Sequence, residues 1–130
     1  MDKQEILNCL SSFPYDCKEY WLVTGAAMVL YGIKKQTADI DLGCTSELAD
    51  KLEAEGYLLR KTKDGKRYFK YGNNIEIFEE WLCDTVKIID KIPVVSIKGL
   101  IEIKQNLGRE KDMKDIELIR SFIKYNNISL

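Results

Sequence analysis

The sequence predicts an α+β fold, in which helices pack against a mixed β-sheet. Apolar residues recur at helical spacing near both ends of the chain, and short segments between them alternate apolar and polar residues as half-buried strands do. The chain has 130 residues, of which 45% are hydrophobic and 32% charged, so it is long enough to bury a core of its own. We therefore expect one domain over residues 1–130.

The first half of the chain alternates helices with strands. Each helix places apolar residues three and four positions apart and precedes a glycine or proline, whereas each strand is either apolar throughout or alternates small or apolar residues with acidic ones. The predicted elements are a helix over residues 2–12, a strand over 20–23, a helix over 26–31, a strand over 38–42 and a helix over 47–55.

The second half begins with a meander and ends with two helices. Asp64-Gly65 is a strong hairpin signal between two strands, and Ser96 and Gly108 bound a helix as its N-cap and C-terminal stop. A last helix places apolar residues on one stripe: Met113, Ile116, Ile119, Phe122 and Ile123. The predicted elements are strands over 57–63, 66–71, 74–78, 85–89 and 94–95, and helices over 97–107 and 111–125.

Composition excludes several classes of function. The chain contains no histidine, so catalytic triads and metal sites that use imidazole are excluded. Its four cysteines are scattered without a C-x-x-C pair, which favours buried free thiols over a zinc site or disulfides. The start lacks a signal-peptide pattern, and no apolar run approaches the roughly 20 residues that span a bilayer, so we expect a cytoplasmic protein without membrane contact.

One acidic pair differs from the others. Four pairs have i, i+2 spacing, and three of them lie in predicted helices, where such side chains point apart. Asp39 and Asp41 lie in a predicted strand, where alternation directs both to one face about 7 Å apart. Two carboxylates at that spacing repel each other unless a cation lies between them. Mg²⁺ prefers such oxygen ligands, so the pair is a candidate metal site. The alternative interpretation is an ordinary strand whose acidic face is solvated.

Two further motifs extend this hypothesis. Glu76, between Ile75 and Ile77, faces away from the core side of its strand and is a candidate third carboxylate for a two-metal site. Thr24-Gly25 ends a strand and opens a helix, where free backbone N–H groups and the helix dipole favour a phosphate. Any tight strand-to-helix turn also favours glycine, so the turn alone indicates little.

Basic residues form two groups with open roles. Cations and aromatic residues alternate along the predicted hairpin at residues 60–70, a pattern that serves nucleic acids but also discourages pairing at a sheet edge. Residues 109–115 join the last two helices. There, Arg109 or Lys111 could reach a phosphate, whereas helix capping and pairing between charges four residues apart would explain the same residues.

In this order, the motifs resemble those of the polymerase-beta-like nucleotidyltransferase superfamily, especially its small bacterial branch of abortive-infection toxin-type enzymes and antibiotic nucleotidyltransferases. The resemblance spans residues 20 to about 120. It lies in V-T-G-A-A-M-V-L-Y-G, K-Q-T-A-D-I-D-L, I-E-I-F and K-Q-N-L-G-R-E-K-D-M-K-D. It implies a nucleotidyltransferase-like mixed sheet packed against helices, with a C-terminal helix pair.

The resemblance also implies roles for individual residues. Asp39 and Asp41 would bind Mg²⁺ or Mn²⁺, and Glu76 would be the third carboxylate. The nucleoside triphosphate would contact the turn and the cations of the motifs: Thr24, Gly25, Lys35, Lys104, Arg109 and Lys111, with Asp112 beside them. Three positions depart from the branch: Thr24 replaces the first glycine of a Gly-Gly turn, Lys35 replaces an arginine, and Glu76 replaces the commoner aspartate.

The implied function is transfer of a nucleoside monophosphate from an NTP to an acceptor hydroxyl, with release of pyrophosphate. The basic hairpin at residues 60–70 favours RNA, such as tRNA, as acceptor. Two alternatives remain: a small-molecule (antibiotic) nucleotidyltransferase, and a non-catalytic nucleotide-binding member of a toxin–antitoxin pair. Because 130 residues leave little room for an acceptor-binding domain, a homodimer or partner protein would complete the site.

Overall fold

The computed structural model describes residues 1–130 and contains one seven-stranded mixed sheet with five helices. The strands are β1 (Tyr20–Val23), β2 (Ile40–Cys44), β3 (Leu59–Lys61), β4 (Arg67–Tyr71), β5 (Ile75–Glu79), β6 (Val86–Ile89) and β7 (Ile92–Val95). The helices are α1 (Lys3–Ser11), α2 (Thr24–Tyr31), α3 (Ser46–Ala54), α4 (Ile97–Leu107) and α5 (Glu110–Tyr125). The predicted α+β class and the C-terminal helix pair are confirmed.

The strand order is β3-β4-β5-β2-β1-β7-β6. Strands β2 and β5 run parallel, as do β1 and β7, and the remaining neighbours are antiparallel. Residues paired across neighbouring strands lie on the same face of a sheet. Leu42, Ile77 and Phe69 form one such row and are fully buried, so this face belongs to the core.

The next row along the same strands lies on the opposite face and is polar. Asp41 of β2 pairs with Glu76 of β5, which pairs with Lys70 of β4. Asp41 and Glu76 are half-buried, and Lys70 is exposed. The alternation in I-D-L and I-E-I therefore separates apolar side chains of the core from charged side chains of an open sheet face.

Several predicted boundaries shift. Strand β2 begins at Ile40 and not at residue 38, so Asp39 immediately precedes the strand instead of lying within it. The hairpin turn is longer than the Asp64-Gly65 signal predicts, because the last pair of strand residues is Lys61 and Arg67. Five residues thus join β3 to β4, and Thr62 N–H donates to the Lys66 carbonyl at 2.8 Å to close this loop.

The helix pair at the C-terminus follows the predicted caps. The Ser96 hydroxyl accepts from Gly99 N–H at 3.0 Å, and Gly108 ends α4 in the left-handed conformation at φ +63°. On α5 the expected apolar stripe is correct for Ile116 and Ile119, which are buried, but Met113 is 43% exposed. The hairpin of α4 and α5 therefore reverses direction at Gly108, and Lys104, Arg109 and Asp112 lie near this turn.

All four cysteines are free thiols, but the predicted burial is correct for only one of them. Only Cys44 is fully buried, and burial raises the pKa of its thiol to about 12. No helix of this protein has the length and apolar character that a membrane crossing requires.

Candidate active site

An open cleft of about 470 Å³ lies on the polar face of the sheet. It is bounded by the first turn of α2, the loop that precedes β2, the middle of β5 and the turn between α4 and α5. Its lining residues are Thr24, Gly25, Lys34, Thr37, Ala38, Asp39, Asp41, Glu76, Phe78, Trp81, Lys104, Leu107, Arg109, Lys111 and Asp115. The fold thus gathers four separate segments of the sequence around one space.

Three predicted carboxylates, Asp39, Asp41 and Glu76, line this cleft together. Asp41 and Glu76 are register partners on adjacent parallel strands, and Asp39 lies two residues before Asp41. None of the three takes part in an ion pair. Burial raises the pKa of Asp41, and the negative charges of Glu76 and Asp39 raise it further. This cluster is therefore held together against electrostatic repulsion by the backbone.

The carboxylates fit a divalent cation in ligand type. Mg²⁺ and Mn²⁺ prefer oxygen ligands, and the uncompensated charges of Asp39, Asp41 and Glu76 are the kind that a cation neutralises. Their side chains do not converge, however, because no group of three or more acidic, cysteine or histidine side chains is arranged to hold a metal ion. Cation binding would therefore require these side chains to turn toward one another.

Thr24 contacts one of these carboxylates directly. Its hydroxyl donates to Asp41 Oδ2 at 2.8 Å, and this hydrogen bond lowers the pKa of Asp41 against the effect of burial. Thr24 is buried and has φ +57°, a left-handed conformation that is costly for a β-branched residue. A glycine adopts this conformation freely. This explains why the bacterial branch that the motifs resemble has a glycine at the position of Thr24.

Gly25 is needed for close packing between two segments of the cleft wall. A Cβ atom on Gly25 would lie 2.4 Å from Oγ1 and 3.3 Å from Cβ of Thr37. The first turn of α2 and the loop before β2 are therefore in close contact. Thr37 was not singled out from the sequence, although it lies only two residues before Asp39.

Lys104, predicted to contact the nucleotide, is buried in an ion-pair network. Its Nζ lies 3.3 Å from Asp112 Oδ1 and 2.8 Å from Asp115 Oδ2, and its side chain is 5% exposed. Lys34 reaches the same cluster, with its Nζ 2.7 Å from Asp115 Oδ1. The structure thus uses Lys104 to join α4 to α5, and its positive charge still acts on Asp41 by lowering the pKa of that carboxyl.

Arg109 and Lys111 lie at the cleft rim. Arg109 Nε donates to Asp112 Oδ2 at 2.6 Å, and this contact holds the pKa of the buried Asp112 carboxyl at about 2. The side chain of Arg109 is 52% exposed, so part of its guanidinium faces the cleft and solvent. Lys111 is exposed and has no ion-pair partner. Helix capping, one of the two alternatives for this segment, is therefore present, and both cations also line the cleft.

The cleft differs from the predicted site at two places. Lys35 is not among the lining residues, and the preceding Lys34 occupies that part of the wall. An apolar wall formed by Phe78, Trp81 and Leu107 was not predicted. The Trp21 indole donates to the Trp81 carbonyl at 2.8 Å and fixes that part of the wall. Phe78 has a sequence signal, because it follows Glu76 at i+2 in an alternating strand.

Comparison with known structures bears on the fold. The chain superposes on TM1012 of Thermotoga maritima, which carries a provisional assignment as a nucleotidyltransferase, with TM-score 0.63 and 18% identity over 96% of each chain. This chain has a nucleotidyltransferase-like fold. A second structure, the lincosamide antibiotic adenylyltransferase LnuA bound to lincomycin, matches with TM-score 0.55 and 19% identity over 90% of this chain and 93% of LnuA. No family profile and no curated protein sequence matches the chain.

The nucleotidyltransferase fold confirms the resemblance that the motifs indicated. Identities of 18% and 19% leave the reaction and its substrates to be argued from this chain's own residues. The argument rests on the cleft, because the fold places the three carboxylates on adjacent segments and the first turn of α2 beside them.

Proposed function

We propose that this protein transfers a nucleoside monophosphate from an NTP to an acceptor hydroxyl, with release of pyrophosphate, in the presence of Mg²⁺ or Mn²⁺. One observation carries the proposal: Asp39, Asp41 and Glu76 share one cleft without a cationic partner, although Asp112 and Asp115 of the adjoining helix hairpin are paired with lysine or arginine. Unpaired acids concentrated at one place indicate a site kept for a cation and a substrate.

The carboxylates and the cations have complementary roles in this proposal. Asp39, Asp41 and Glu76 would hold the metal, which when bound stabilises the attacking and leaving oxygens of an in-line displacement. The first turn of α2 offers backbone N–H groups to the triphosphate at Gly25, where the helix dipole also favours negative charge. Arg109 and Lys111, at the opposite rim, would contact phosphate oxygens.

The chemical step transfers one proton and releases one leaving group. The acceptor oxygen forms a bond to the α-phosphorus while the bond from that phosphorus to the bridging oxygen breaks, and pyrophosphate leaves with the bond's electron pair. The acceptor's proton passes to a carboxylate. Glu76 is the best placed to accept it, because it is half-exposed and lines the cleft beside Asp41.

RNA is the acceptor that we favour, with the basic segment at residues 60–70 as its contact. The likeness to LnuA supports a second candidate, a small antibiotic as acceptor. The third candidate is a nucleotide-binding member of a toxin–antitoxin pair without catalysis, which the unpaired carboxylates disfavour. A homodimer or a partner protein would add acceptor contacts to a chain of 130 residues.

Incubation with each labelled NTP and Mg²⁺, alone, with bulk tRNA and with lincomycin, tests the proposal. The variant Asp39→Asn/Asp41→Asn removes two carboxylates without changing side-chain size. Glu47→Gln/Glu117→Gln is its control, since it removes two exposed carboxylates that have no ion-pair partner and do not line the cleft. Transfer that only the first variant abolishes supports the proposal. Absence of both NTP binding and transfer at millimolar Mg²⁺ contradicts it.

A further inference from the structure

A second groove, of about 260 Å³, begins at the candidate active site and runs toward the β3 edge of the sheet. Glu76 lines both the groove and the cleft, so the two spaces meet at this carboxylate. The other lining residues of the groove are Leu58, Arg60, Tyr68, Phe69 and Lys70. A molecule lying in this groove would therefore present one end to Glu76.

The register of the strands fixes where the charges of this groove lie. Lys70 is the β4 partner of Glu76, and Arg60 is the β3 partner of Tyr68. These four side chains consequently lie on the open face of the sheet, in two neighbouring rows. Tyr68 stacks on Phe78 of the cleft wall, with ring centroids 5.3 Å apart and an interplanar angle of 17°. A continuous aromatic surface thus joins groove and cleft.

The cations of this region divide into two sets. Arg67 pairs with Glu79 at 2.6 Å, and Lys66 pairs with Glu80 at 2.7 Å, so both are neutralised within the protein. Arg60 and Lys70 are exposed and take part in no ion pair. Lys61 and Lys63 are likewise exposed and unpaired but lie outside the groove. The groove therefore holds two cations that no carboxylate of the protein pairs with, which indicates an anionic ligand there.

We propose that this groove is the acceptor subsite and that it takes the 3′ end of a single-stranded polynucleotide. The inference rests on the proposed function of the cleft. A base stacks on Tyr68, the adjoining phosphodiesters contact Arg60 and Lys70, and the terminal ribose hydroxyl lies at Glu76. That hydroxyl oxygen attacks the α-phosphorus of the NTP, its proton passes to Glu76, and pyrophosphate leaves. An uncharged small acceptor would leave both cations without a partner.

Binding of short 5′-fluorescent oligonucleotides without NTP tests the subsite separately from catalysis. Anisotropy titrations compare single-stranded RNA with single-stranded DNA and so determine which of the two polynucleotides the groove binds more tightly. Arg60→Ala/Lys70→Ala should weaken binding roughly tenfold at low salt, and the slope of log affinity against log salt should fall by about 1.4, from two lost phosphate contacts. Tyr68→Leu should weaken binding about fivefold or more, because a stacking surface is lost.

The matched control is Lys87→Ala/Lys98→Ala, which removes the same charge from exposed lysines outside the groove and the cleft. Binding unchanged in this control, with the losses above in the groove variants, supports the inference. Equal losses in both double variants, or no oligonucleotide binding by the unaltered protein, overturn it. Thermal unfolding of each variant confirms that it is folded, which the exposure of Arg60 and Lys70 leads us to expect.

Labelled NTP binding and transfer distinguish failure of the subsite from failure of the proposed function. If the unaltered protein transfers the nucleotide and Arg60→Ala/Lys70→Ala labels a polynucleotide equally well, the subsite is wrong and the proposed function stands. If oligonucleotides bind with the expected losses but no NTP binds, the proposed function is wrong, and the subsite fails as an acceptor site with it.

Discussion

Removal of the Thr24 hydroxyl should destabilise the protein through a single contact at the candidate active site. Thr24→Val has nearly the same shape and keeps the β-branch, so the left-handed backbone at φ +57° and the packing of the site change little. What it removes is the 2.8 Å hydrogen bond to Asp41 Oδ2. The change therefore isolates the hydroxyl from the backbone strain that accompanies it.

The expected loss of stability can be estimated from the two groups that form this hydrogen bond, a hydroxyl and a carboxylate. A hydrogen bond to a charged group contributes about 1.5–3 kcal/mol, and burial around Asp41 provides little water to replace it. With an unfolding entropy of about 2.1 cal/mol/K per residue, a chain of 130 residues shifts its Tm by about 4 °C for each kcal/mol. Thr24→Val should therefore lower the Tm by roughly 6–11 °C. Thr24→Ser keeps the hydroxyl and should lose at most about 1 kcal/mol, for its methyl group.

Thermal unfolding at pH 7 without divalent metal measures these shifts, and a double-mutant cycle with Asp41→Asn assigns them. Against the neutral amide the hydroxyl makes an ordinary hydrogen bond, so Thr24→Val should cost about 1 kcal/mol less in that background than in the unaltered protein. Equal costs in the two backgrounds would refute the assignment to the Asp41 carboxylate. An unchanged Tm in Thr24→Val would refute the role of the hydroxyl altogether.

Three further outcomes follow from the same cleft. Since burial raises the pKa of Asp41, its ionised form destabilises the folded state, so Asp41→Asn should raise the Tm at pH 7 without metal. This gain should disappear as the pH falls below 3.8, the ordinary pKa of an aspartate, because the carboxyl is then protonated in both the folded and the unfolded state. Measurement of the Tm as a function of pH checks both outcomes. Lys104→Met removes the buried cation that Asp112 and Asp115 share, although Arg109 and Lys34 still pair with these carboxylates. It should cost up to about 3 kcal/mol, or roughly 10 °C of Tm by calorimetry. Lys111→Ala should leave the Tm unchanged and weaken NTP binding about three- to tenfold by titration calorimetry, whereas Lys98→Ala should change neither.

The strands that carry the site were predictable because their pattern is local. In I-D-L and I-E-I each acidic residue is flanked by apolar ones. In a half-buried strand this alternation directs the apolar side chains to the core and the acidic side chain to the opposite face. That the two strands are neighbours is not local information. The parallel pairing of Asp41 with Glu76 depends on the crossover between β2 and β5, and no pattern within either strand predicts it.

The roles of the cations were less predictable, because a charge acquires its partners from the tertiary structure. Lys104 and Asp115 lie 11 residues apart and meet only because the turn at Gly108 folds α5 back onto α4. Lys34 replaces Lys35 in the cleft for a similar reason, since the loop after α2 has no periodicity that orients its side chains. The left-handed conformation of Thr24 is also hidden, because threonine rarely adopts it.

Pairing distinguishes the acids that stabilise this fold from those that the fold leaves free. Asp112 and Asp115 are a second pair of closely spaced aspartates, but their carboxylates are neutralised by Lys104, Lys34 and Arg109. The same network fixes Lys104, whose charge reaches Asp41, so the helix hairpin lowers the electrostatic cost of the free carboxylates. Because that relief is partial and the pKa of Asp41 remains raised, the site retains an attraction for a cation that the network itself does not satisfy.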